Sequence, residues 1–124
     1  MRVVPILIAI ILPIGLTLPV HAELSPGVVK FIDMAKLANS TDENTDYQEF
    51  SSRLLSSGDE KAYRRYFLFG LRYCASKTSG TEKLFTRTLA SELIGLTSDK
   101  RKQGQMISMI TNLQIAADRT ICPN

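Results

Sequence analysis

The sequence predicts a small all-α protein: a bundle of about five helices with one disulfide, preceded by a cleaved signal peptide. Three observations carry this. Apolar residues recur at three- and four-residue spacing in five successive stretches, with no convincing strand or hairpin pattern. The connections between those stretches are short and polar. The chain has two cysteines, Cys74 and Cys122, and an even pair in an exported protein defaults to one disulfide.

The leader comes first. Met1 and Arg2 give a minimal positive start, Val3 to Leu18 is uncharged and mostly apolar, and Pro19 precedes Val20-His21-Ala22. Alanine at the exit with valine two residues before it makes a signal-peptidase site. Pro5, Pro13 and Pro19 argue against a retained membrane anchor. The expected organisation is therefore a signal peptide over residues 1–22 and a single helical domain over residues 23–124. The mature protein is expected in the periplasm or outside the cell, with no transmembrane anchor after cleavage. A domain of this length buries about two-thirds of its unfolded surface.

Segment one runs from Ser25 to Ala38, with Ser25 as cap and Pro26 at the first helical position. Val28, Ile32 and Ala35, and more loosely Phe31 and Leu37, make its apolar face. The polar loop after it contains Asn39-Ser40-Thr41, a formal N-glycosylation sequon. Segment two, Asp46 to Ser56, has Thr45 and Gln48 at capping-box spacing, and Tyr47, Phe50, Leu54 and Leu55 on one face. Gly58 suits the left-handed stop beyond it.

Segment three, Asp59 to Lys77, is the expected central helix, capped by Ser57 with Glu60 or by Asp59 itself. Tyr63, Tyr66, Phe67, Gly70, Leu71 and Cys74 form its stripe, and Leu68 and Phe69 widen it. Glycine inside a helix costs about 1 kcal/mol relative to alanine. Gly70 therefore predicts close approach of a neighbouring helix.

Segment four, Glu82 to Leu96, begins at Ser79 with Glu82 or at Thr81, and carries a seam of Phe85, Leu89, Leu93 and Leu96. Segment five, Asp99 to Thr120, is expected to be capped by Ser98. Its seam is Met106, Ile110, Leu113 and Ala117, broadened by Ile107, Met109 and Ala116, and Gly104 is a weak point. Segments three and five are expected to form the core. The disulfide joins their ends across 48 residues, a closure worth about 4 kcal/mol by chain entropy.

Composition excludes much chemistry. The leader contains His21, the only histidine, so the mature chain has no imidazole for Ser-His-Asp or Cys-His catalysis. Histidine-containing zinc sites go with it, and two cysteines are too few for an all-thiolate site. Asp42, Glu43, Asp46, Glu49, Asp59 and Glu60 lie in polar loops and helix first turns, where capping accounts for them. The calcium-loop spacing and its glycine are absent, and the glycines form no phosphate loop. The expectation is no metal, no cofactor and no enzymatic activity.

Binding is the remaining route to function. Residues 23–60 carry three basic and eight acidic side chains, whereas residues 61–124 carry eleven basic and four acidic. The candidate partner-binding residues are Tyr63, Arg64, Arg65 and Arg72 of segment three, with Lys100, Arg101 and Lys102 at the start of segment five. Tyr and Arg are enriched at interaction hot spots. An acidic protein surface is the expected partner, and export argues against nucleic acid. Met106 and Met109 raise a small apolar ligand, held between segments three and five, as an alternative.

A signal peptide, one short all-helical domain and one long-range disulfide together resemble the format of bacterial secreted-toxin immunity proteins and acid-stress periplasmic chaperones. That resemblance is architectural and implies protein–protein binding of immunity or inhibitor type, or a chaperone or envelope-assembly role. No family motif matches residue by residue, so no site is carried over from it.

Overall fold

The computed structural model describes residues 24–123. The expected signal segment and its cleavage site lie outside them. The described chain is five helices in order: α1 Pro26–Asn39, α2 Thr45–Leu55, α3 Glu60–Thr78, α4 Glu82–Leu96 and α5 Lys100–Thr120. No strand occurs among the described residues. Cys74 and Cys122 are bonded, with their Cα atoms 5.0 Å apart. None of these helices is long and apolar enough to cross a membrane.

Local chemistry starts four of the five helices. Ser25 Oγ accepts from Val28 N–H, and Pro26 occupies the first turn. Asp59 accepts from Ala62 N–H at 3.1 Å. Two expected caps are corrected. Asn44, not Thr45, caps α2 by accepting from Tyr47 N–H. Gln48 turns away from that box and donates to the carbonyls of Asn39 and Ser40. Asp99, not Ser98, caps α5, accepting from Arg101 and Lys102 N–H. Thr81 stands at the α4 cap position but makes no side-chain cap bond, and Ser79 bonds to Thr81 Oγ1 and Ser76 O instead. Gly58 takes φ 74°, the left-handed stop expected after α2.

The core also corrects the expectation. Helix α5 packs against all four other helices, and its most extensive partner is α1, not α3. Phe31, Ala35, Ala116 and Ala117 retain no exposed surface, and these alanines keep α1 and α5 close. Phe31 belongs to the centre of the α1 face, whereas Leu37 is 56% exposed. The α5 seam is turned toward Met109, Leu113, Ala116 and Ala117, leaving Ile107 at the surface.

Helix α3 closes the third side of this core. Gly70 is the close approach that the sequence demands: Phe31 and Ile121 fill the space where a side chain on it would stand. Phe67 meets Phe31 edge-on at 5.7 Å between ring centroids. Gly104 serves a similar purpose, because the Tyr47 ring lies where its side chain would be.

The corner between α1, α2 and α5 is polar but nearly fully bonded. Asn39 is buried, its amide donating to Gln48 O and Ser52 Oγ, both at 3.0 Å. Buried Asn112 donates to Asn39 Oδ1 at 3.1 Å. A glycan on Asn39 is incompatible with this packing, so the sequon is occupied by structure. Nearby, Asp42 accepts from Ser108 at 2.6 Å. Asp46 accepts two bonds from Arg101, at 2.7 and 2.5 Å, and is also approached by Gln105 Nε2 at 3.2 Å. Both aspartates tie the α1–α2 region to α5.

Candidate functional site

The predicted binding residues separate into an internal residue, a groove and a distant basic knot. Tyr63 is internal. Its ring is buried, its hydroxyl donates to Leu55 O at 2.6 Å, and the same oxygen accepts from Gly58 N–H at 2.9 Å. Both bonds hold the α2–α3 turn.

Arg65 and Arg72 come together on a groove between α3 and α4. Its floor is made by Leu68 and Phe69 of α3 and Leu84, Phe85 and Leu89 of α4. Thr81, Thr88 and Glu92 complete the lining, and the volume is about 650 Å³. The Phe69 and Phe85 rings lie 5.7 Å apart, and Tyr73 and Phe85 6.4 Å apart, so an aromatic stack holds the two walls together.

Helix α4 is unusual within the fold. None of its residues is buried, although Leu84, Phe85, Leu89, Leu93, Ile94 and Leu96 make it apolar. Leu84 is 59% exposed and Leu68 44%. The expected seam of α4 therefore only half-packs onto the bundle, and its apolar surface continues into the groove.

Among the described residues neither Arg65 nor Arg72 forms an ion pair. Arg64, one position along, is 3.8 Å from Glu60 on its own helix and does not line the groove. Lys100, Arg101 and Lys102 do not line it either. They form the first turn of α5, where the helix dipole opposes positive charge. The Asp99 cap and the Arg101–Asp46 bonds offset that repulsion. The Arg101 guanidinium holds the Asp46 carboxyl below the ordinary carboxylate range, against the opposing effect of burial.

The other titratable neighbours are structural. Asp118 accepts from Lys77 at 2.7 Å and from the Tyr73 hydroxyl at 3.2 Å. The Asp118 bond raises the Lys77 ammonium above its usual value, and burial raises Tyr73, with the Asp118 charge adding to it. No three His, Cys, Asp or Glu side chains converge among the described residues. Met106 and Met109 line a cavity of about 130 Å³ with Phe50, Leu54, Leu93 and Ile110. It lies between α2, α4 and α5, not between segments three and five as the ligand reading requires.

Sequence reasoning did not single out Thr81, Leu84, Thr88 and Glu92 for binding. The available signal was α4's apolar excess: Leu84 and Ile94 lie beyond the seam of a helix that needs only one buried face. Against protein-family models, curated proteins and solved structures, the chain has no match.

Proposed function

We propose that the mature chain is an exported, non-enzymatic protein that binds another protein through the α3–α4 groove, as an immunity or inhibitor protein does. One observation carries this reading: an outward-facing apolar groove edged by two arginines that have no ion-pair partner among the described residues. Apolar area supplies affinity, and the arginines favour a partner with acidic surface. The disulfide supports export, because such bonds persist in oxidising compartments. It also anchors the end of α3 to α5, which reduces the ordering cost of binding.

The test is affinity capture from an envelope extract of the source cell, using wild type, Leu84→Glu and Arg65→Glu/Arg72→Glu. The reading predicts one dominant partner, lost in both variants while helix content is unchanged. The same partner at equal yield with all three proteins removes the groove as the binding site.

A periplasmic chaperone or envelope-assembly role is the second reading. It is favoured by apolar exposure away from the groove, with Leu96 75% and Leu37 56% exposed. It predicts suppression of light scattering by several unrelated aggregating clients, where an inhibitor protects none.

A further inference from the structure

We infer that the groove's occupant is an amphipathic helix of the partner, with two carboxylates two turns apart along one edge of its apolar face. This rests on the groove being the binding site, as proposed above.

The first argument concerns backbone. Both walls are helices whose backbone groups beyond the first turn of α4 are paired internally, so along its length the groove offers its occupant side chains but no ladder of free N–H and C=O groups. An extended segment laid there would bury its own backbone donors and acceptors without partners. A helix arrives with its backbone satisfied and presents apolar side chains at three- and four-residue spacing.

The second argument concerns spacing. Arg65 and Arg72 are seven residues apart on α3 and line the same groove. Seven helical residues are nearly two full turns, a rise of about 10.5 Å, so the two side chains share an edge. Carboxylates at positions i and i+7 of a helix lying along α3 reproduce that spacing. In an extended chain about 10 Å is three residues, and an odd step puts the side chains on opposite faces.

Orientation follows from Glu92, which lines the α4 wall. A carboxylate on that side of the occupant is repelled, whereas a neutral or basic residue is accepted. The occupant is therefore acidic only along its α3 edge. A uniformly anionic surface, such as a lipid headgroup layer, does not meet that condition.

The experiment uses the purified, disulfide-bonded protein and three synthetic fluorescent peptides. The first is a Leu/Ala amphipathic helix with Glu at positions i and i+7 along one edge of its apolar face. The second carries Lys there, and the third is the acidic peptide with a central Pro. Fluorescence anisotropy should show the acidic helix binding roughly tenfold tighter than the basic one, the ratio expected for two rim ion pairs replaced by repulsion. Arg65→Glu/Arg72→Glu should reverse the order, and the proline peptide should lose binding. Equal binding of acidic and basic helices, retained binding of the proline peptide, or no binding overturns the inference. So does groove-dependent binding to phosphatidylglycerol vesicles, or a dimer in sedimentation that Leu84→Glu dissolves. Groove-dependent capture of a protein together with failure of the acidic helix defeats this inference alone and leaves the proposed function standing.

Discussion

The Phe31 ring occupies the space that a side chain on Gly70 would need. A Cβ at position 70 would stand 2.8 Å from Phe31 Cε1 and 3.0 Å from Ile121 Cδ1. Phe31 has no exposed surface and is braced by Phe67, so the ring has nowhere to go. Gly70→Ala should gain about 1 kcal/mol of helix propensity and lose about 1–3 kcal/mol to overpacking. We expect net destabilisation, read as a lower urea midpoint. An unchanged or higher midpoint would show that α1 and α3 are not in this contact.

Asn39 and Ser51 make a contrasting pair. Asn39 bonds to α2 and α5 at once, and its removal leaves the buried Asn112 amide without its acceptor. Asn39→Ala should cost about 1–3 kcal/mol, the cost of one orphaned buried polar group. Ser51 Oγ is fully buried and has no hydrogen-bond partner among the described residues. Ser51→Ala should be neutral or stabilising by up to about 1 kcal/mol. Chemical denaturation of the two variants checks the pair.

Much of the fold was legible because helix periodicity is a local signal. All five helices lie within a residue or two of their expected bounds, and Gly70 announced its own contact. The caps were harder. Asn44 precedes Thr45, and Asp99 follows Ser98, so adjacent residues compete for one role and backbone geometry decides. The leading part of α1 in the core was hidden in Ala35, Ala116 and Ala117, whose small size matters only once two helices meet. The groove was least legible. Periodicity shows which face of α4 is apolar, but not that the bundle leaves part of it uncovered.

The Asp46–Arg101 contact predicts a pH dependence. Arg101 lowers the pKa of the Asp46 carboxyl in the folded state. A carboxylate with a depressed folded value stabilises the fold above its ordinary value, about 4. That contribution is lost as pH falls through the lower folded value. Asp46→Asn should flatten this part of the acid limb of stability against pH, with little effect on the curve's shape near neutrality. Parallel acid limbs in wild type and variant would refute the assignment.

The disulfide closes a 48-residue loop between α3 and the segment after α5. Cys74→Ser/Cys122→Ser should lower stability by about 2–4 kcal/mol, mainly by relaxing the unfolded chain. Hydrogen exchange should quicken in the last turns of α3 around Cys74, which is two residues beyond Arg72. Loss of stability without faster exchange there would make the bond irrelevant to the groove.

The central claim is that another protein sits on the α3–α4 groove, and site-specific photo-crosslinking in the source cell tests it most directly. Benzoylphenylalanine is placed at position 84, in the groove, or at position 29, exposed on α1 and outside it. The account predicts one discrete protein adduct from position 84, abolished by Arg65→Glu/Arg72→Glu, and none from position 29. Adducts from position 29 alone, or identical adducts from both positions, would contradict it.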